Sequence, residues 1–254
     1  MFQQYLRYVK EYFLQHGGYY HPDPRYNFRS KYEHTLRVLR WCKILIEDFT
    51  GVNEEILYTA AIFHDVGYGE SEDKRFHAER SADIFLEYAT QENIEPAIAE
   101  KVTYLIKMHS NKEMIMLPDT VPELVLLMEA DLLDEEGALR VIWYCATKAI
   151  QGADRYEDFY EFIQMGSNKR RENPMVTPLA KEIWERKMAL VDEFMGELSA
   201  DIEMEVESEF GCKDGLAKIK GAIESISKKI GNRELSEEQW VSIQEEKEEK
   251  TKSF

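Results

Sequence analysis

An all-α fold is what this 254-residue chain predicts, on two observations. Apolar residues recur three or four positions apart along nearly its whole length. No run shows the strict period-2 alternation of a half-buried strand. Together they describe a helical bundle whose core is assembled from one apolar face of each helix.

The elements follow in order. Phe2, Leu6, Val9 and Phe13 lie on one face of a first helix over about 2–15. Residues 17–30, with Gly17-Gly18 and His21-Pro22-Asp23-Pro24, form an irregular connector. A helix over about 31–49 ends before Gly51, and Asn53 caps the next, over about 54–65, which stops near Gly67 and Gly69. Further helices are expected near 76–90, 95–109 and 121–150. Thr120-Val121-Pro122-Glu123 has the form of a capping box opening the last of these. A helix near Tyr156–Gln164 follows Gly152, and Thr177-Pro178 starts a long one to about 208. Beyond it Leu216, Ile219, Ile223, Ile226 and Ile230 keep a helical stripe in a segment rich in Lys and Glu, and 245–254 reads as a solvated tail. The expected organisation is a helical domain over 1–208 and a C-terminal extension over 209–254.

Composition narrows the function. Apolar residues make up 44% and charged residues 32%, which supplies ample core. A net charge of −17 opposes binding to nucleic acid, whose phosphates need a basic footprint. A phosphorylated substrate would therefore need a local positive centre, such as a metal ion. No stretch approaches the roughly 18 apolar residues of a membrane span. The segment Met1-Phe2-Gln3-Gln4-Tyr5 lacks the basic and apolar regions of a signal peptide. Cys42, Cys145 and Cys212 are few and far apart, as reduced cytosolic thiols are. The expectation is a cytoplasmic protein with no membrane or nucleic-acid partner, either a monomer or a homo-oligomer.

The chemistry lies in polar residues on apolar faces. His34 shares its face with Val38, Trp41 and Leu45. Leu57 and Ala61 precede His64 on one face, and Asp65 adjoins it. His77 is followed by Ser81, Ile84 and Tyr88, His109 is preceded by Val102, Leu105 and Ile106, and Asp131 by Leu124, Leu127 and Met128. One inward histidine is most simply a hydrogen-bonded core residue. An inward carboxylate needs a partner or a metal. Four histidines and two aspartates facing inward from successive helical segments describe a pocket that a cation would hold together. Imidazole mixed with carboxylate suits Mn, Fe, Co, Ni or Zn better than Ca. Such an ion acidifies water and neutralises charge on a phosphoryl oxygen, and Asp65 could bridge to a second ion.

At these residues the sequence resembles the HD-domain superfamily of metal-dependent phosphohydrolases. The resemblance is carried by Tyr32-Glu33-His34-Thr35-Leu36-Arg37-Val38, by Ala60-Ala61-Ile62-Phe63-His64-Asp65-Val66-Gly67, and by Glu129-Ala130-Asp131-Leu132-Leu133-Asp134. It extends over roughly residues 25–205 and is greatest to the small single-domain bacterial branch. It implies an HD helical bundle with a divalent-metal site between helices, built from His34, His64, Asp65 and Asp131, with Asp65 and His64 catalytic. The cofactor it implies is one or two ions of Mn, Fe, Co, Ni, Mg or Zn. His77 and His109 fall where some HD proteins hold a second metal or touch phosphate. Candidate substrate contacts are Arg37, one turn from His34, Lys74 and Arg75 in the loop before His77, and Asp134, one turn past Asp131, which could instead orient a ligand. Lys169-Arg170-Arg171 is read as a solvated basic run.

The activity implied is hydrolysis of a phosphoester or phosphoanhydride bond in a small phosphorylated substrate, a nucleotide by resemblance, such as that of a nucleoside triphosphate pyrophosphohydrolase or a nucleotidase. The main alternative is a non-catalytic nucleotide-binding or regulatory module. Val66-Gly67-Tyr68-Gly69 after the doublet, in place of a Gly-Tyr-Pro stretch, and a lone His109 count against a cyclic dinucleotide phosphodiesterase. A purely structural interaction protein ranks last, because it leaves the inward His/Asp set unexplained.

Overall fold

A computed structural model of the chain describes residues 1–71, 73–169 and 172–210, and among them the fold is all-α. The helices are α1 (Phe2–His16), α2 (Lys31–Leu45), α3 (Glu54–Phe63), α4 (His77–Gln91), α5 (Pro96–Met108), α6 (Pro122–Asp134), α7 (Ala138–Ile150), α8 (Tyr156–Asn168) and α9 (Pro178–Phe210). Two compact units are present, Met1–Met195 and Gly196–Phe254. The second contributes to the described residues only the helical stretch 196–210. The expected stripe Leu216–Ile230, the tail, Cys212, Arg170 and Arg171 lie outside the described residues.

In the first unit α3 is the central element. Its residues Ile56 to Phe63 are all buried, and it packs on α1, α2, α5 and α6. α2 lies along α6, and α4 along α5 and the short turn Val66–Tyr68. The core includes Phe13, Phe63, Phe85, Leu57, Leu105 and Leu127, all fully buried. Aromatic rings of α1 (Tyr5, Tyr8) meet Phe63 of α3 edge-on or tilted at 5.8 and 5.9 Å. A smaller cluster of Val141, Ile163 and Val191 joins α7, α8 and the first part of α9.

Local chemistry sets the helix starts. Asn53 accepts from the Ile56 amide at 3.2 Å, the cap its position predicts. Ser30 does the same for Glu33 at 3.3 Å and so fixes where α2 begins, three residues before His34's own turn closes. Two expectations are corrected. The helix read as 121–150 is two helices, because Gly137 takes φ +75° between them, a left-handed conformation that an L side chain rarely adopts. The capping box at Thr120 does not form. Val121 is the N-cap, Thr120 Oγ1 donates to the Met114 carbonyl at 2.6 Å, and Glu123 accepts the Asn53 amide at 2.9 Å. A nearby carbonyl and a long-range amide outcompeted the capping motif.

Glycine also matters at position 67. A Cβ on Gly67 would stand 2.6 Å from the Ser81 backbone nitrogen. Only a bare backbone lets the turn after His64-Asp65 approach α4 that closely, and the Gly67 amide donates to Ser81 Oγ at 2.9 Å. This contact joins the end of α3, which carries the doublet, to the helix that carries His77.

Candidate active site

His34 sits in the first turn of α2, His64 and Asp65 follow α3, His77 opens α4, His109 follows α5, and Asp131 lies in α6. Helix ends and one mid-helix position thus converge from five elements. His64, Asp65, His34 and His109 are buried; Asp131 and His77 are partly open, with side chains 18% and 16% exposed.

The ring orientations are set from behind. His64 Nδ1 donates to the Ala61 carbonyl at 2.8 Å, His77 Nδ1 to Lys74 at 2.6 Å and His109 Nδ1 to Ile106 at 2.6 Å. Each acceptor lies three residues earlier in the chain. His34 Nδ1 meets the Asp134 carboxylate at 2.7 Å, and Asp134 is also gripped by Arg37 at 2.7 and 3.0 Å. With Nδ1–H committed, the neutral tautomer leaves the lone pair on Nε2.

All four Nε2 atoms face inward. His34 Nε2 and His64 Nε2 are 3.2 Å apart, and His77 Nε2 and His109 Nε2 are also 3.2 Å apart. Asp65 stands between the two pairs. Its Oδ2 lies 3.5 and 3.6 Å from His34 and His64, and its Oδ1 lies 3.0 and 3.7 Å from His77 and His109. Asp131 Oδ1 is 3.2 Å from His34 Nε2.

These distances fit a cation. Two imidazoles bound to one ion at roughly 2.1 Å place their nitrogens roughly 3.0–3.4 Å apart for octahedral or tetrahedral angles. Two lone pairs facing each other at 3.2 Å without a proton or an ion between them would repel. His34, His64 and Asp131 form one group able to hold a metal, and His64, Asp65 and His109 another.

Electrostatics matches this arrangement. Burial and the Lys31 ammonium oppose charge on His34, but hydrogen bonds to Asp131 and Asp134 outweigh them and push its pKa up to about 9. Burial pushes His64 down to about 3, so it is neutral at any physiological pH. Burial alone would raise Asp65 and Asp131. Lys31 and the histidines hold Asp65 well below the usual carboxylate range, and Lys112 and His34 do the same for Asp131.

The centre opens into a cavity of about 730 Å³. Of the residues proposed from sequence as substrate contacts, Arg37, Lys74 and Asp134 line it. Lys74 Nζ donates to the Tyr68 carbonyl at 2.6 Å. Arg75 is held on Asp73 with an 84% exposed side chain, away from the cavity lining. Asp134 is buried behind His34, where both of its oxygens are occupied. Lys169, the described residue of the basic run, is exposed and also outside the lining.

Two cations escaped the sequence reading. Lys31 Nζ contacts Asp65 Oδ2 at 2.6 Å, and Lys112 Nζ contacts Asp131 Oδ2 at 2.6 Å, both at the cavity wall. The signal was present, since each lysine lies three residues from a site histidine, His34 or His109, but charged residues beside helix ends are too common for spacing alone to single them out.

Comparison with known proteins agrees with the resemblance. Residues 32–136 match the family described as HD domain. No curated protein sequence matches it. Among solved structures, a predicted HD superfamily hydrolase from an uncultured Thermotogales bacterium is 18% identical, with a TM-score of 0.53 over 78% of this chain and 91% of that one. An HD-superfamily hydrolase from Bacillus thuringiensis is 18% identical, with a TM-score of 0.54 over 79% and 96%. YpgQ of Bacillus subtilis, solved in complex with ADP, is 19% identical, with a TM-score of 0.50 over 79% and 97%. At these identities the likeness is one of fold. Among the described residues no helix is long and apolar enough to cross a membrane.

Proposed function

We propose that this chain, built on an HD domain over residues 32–136, is a metal-dependent phosphohydrolase acting on a small phosphorylated substrate of the nucleotide class. The observation that carries the reading is the placement of Asp65, with one oxygen toward His34 and His64 and the other toward His77 and His109. A divalent ion there supplies Lewis acidity, which acidifies water near neutral pH and offsets charge developing on a phosphoryl oxygen.

In this reading His34, His64, Asp65 and Asp131 hold one ion, while His77 and His109 complete a second position with Asp65. Asp134 orients His34 and keeps its Nε2 lone pair turned inward. Lys31 and Lys112 exchange their carboxylate partners for substrate phosphate oxygens, which places positive charge at the reacting group inside a molecule of net charge −17. Ser110 Oγ, 3.2 Å from both His77 and His109, offers a further hydroxyl to the phosphate. The nucleotide class is supported by the HD resemblance and by the ADP held in YpgQ.

The test is a phosphohydrolase screen on chelated protein reloaded with Mn, Mg, Co, Ni or Zn, scoring product against metal. Turnover should appear with a transition metal and vanish in Asp65→Ala while helical content stays. Metal and nucleotide binding without turnover of any phosphate compound would establish the regulatory module instead.

A further inference from the structure

The cavity lining joins two unlike groups of residues. One is the His/Asp centre with Lys31 and Lys112. The other comes from the connector between α1 and α2 and from one face of α7, and includes Tyr20, Phe28, Leu139, Ile142 and Trp143. Tyr20 is 63% exposed, Ile142 54%, Phe28 52% and Leu139 45%. Large apolar side chains left open to water on a single cavity wall mark a surface that a ligand covers. At its edge Arg29 lies over the Trp143 ring, 4.0 Å from the centroid, and Tyr26 meets the same indole at 4.9 Å. Arg29 is tethered in turn by Glu135 at 3.5 Å.

We infer that this wall is the specificity subsite for the flat aromatic base of a nucleoside phosphate, with Leu139 and Ile142 as the contacts that select it. The inference rests on the proposed phosphohydrolase reading, which places the phosphate end of the substrate at the His/Asp centre. The wall then receives the other end of the same molecule. A sugar or inorganic phosphate would leave the apolar side chains wet and gain nothing from them. A planar base removes them from water and stacks beside the Trp143–Arg29 pair, where a guanidinium already lies over a ring face. Helix α7 exists as a separate element only because Gly137 turns the chain, so the wall and the subsite depend on the same break that the sequence pattern concealed.

Calorimetry of the manganese-loaded full chain with ADP, UDP and inorganic pyrophosphate tests this without requiring turnover. The wild type should bind the nucleotides more tightly than pyrophosphate. Leu139→Ala combined with Ile142→Ala should reduce the ratio of nucleotide to pyrophosphate affinity by about tenfold or more, the order expected when apolar pocket contacts are lost. Leu190→Ala, an exposed apolar change outside the cavity, serves as the comparison and should keep the wild-type ratio. Equal losses for nucleotide and pyrophosphate, or no preference for nucleotide in the wild type, would overturn the subsite. Absence of hydrolysis together with an intact preference would overturn the phosphohydrolase reading and leave the subsite standing.

Discussion

Asp65 is closely surrounded, with four imidazole nitrogens and the Lys31 ammonium all within 3.7 Å of its oxygens. Its loss should lower turnover by at least about a thousandfold, because both proposed ion positions would share it. Asp134→Asn keeps the side-chain shape but weakens the hold on His34 Nδ1. A fall of about 10- to 100-fold in metal affinity, with helical content unchanged, is the expected result in a metal titration. His34 gives a pH signature. In chelated protein its pKa is about 9 against an ordinary 6.5, so it contributes stability that is complete below pH 6.5 and lost as pH rises through 9. The melting temperature in chelator should therefore fall by roughly 5 °C across that window. His64 is depressed to about 3, so its contribution is lost as pH falls below 6.5 and does not mask the effect. With manganese present the trend should reverse, because the ion displaces the His34 proton more easily at higher pH. A flat melting profile in chelator would refute this account of His34. The site residues were legible in the sequence because each is polar on an apolar face. Their ring orientations were not, because these depend on carbonyls and carboxylates that the spacing does not reveal.

At the scale of elements, the helices that the sequence resolved best are those whose ends carry their own signal. Asn53 caps α3 and Pro178 opens α9 where expected. The reading failed where an apolar pattern ran on unbroken past a glycine, at Gly137, and where a capping motif had better partners elsewhere, at Thr120. Gly137→Ala should cost about 1–2 kcal/mol in urea unfolding, since the left-handed φ remains while the side chain resists it. Glu129 presents a different case. Fully buried in α6, it accepts from the Val176 and Thr177 amides at 2.6 and 2.9 Å and from Thr177 Oγ1 at 2.6 Å, and so joins the start of α9 to the helix carrying Asp131. Nothing in the apolar periodicity marks Glu129 as a clasp. Glu129→Ala leaves three donors without their partner, two of them buried, and should destabilise the protein by about 3 kcal/mol in thermal or urea melts.

For the molecule as a whole, an ion bound at the His/Asp cluster would also stabilise the fold. The groups able to hold it come from α2, α6 and the residues that follow α3 and α5. At an ion concentration a hundredfold above Kd, binding should add about 2.7 kcal/mol, and chelation should remove it reversibly. What the sequence by itself determined is the fold class and the inward-facing His/Asp set, because both follow from periodicity. Tertiary structure alone decided how those residues lie around Asp65, which lysines stand beside them, and that α7, set off by the break at Gly137, adds apolar residues to the cavity lining. The physical reason is that such relations are set by distances between helices, and those distances come from packing, close glycine contacts and long-range hydrogen bonds that no single segment contains.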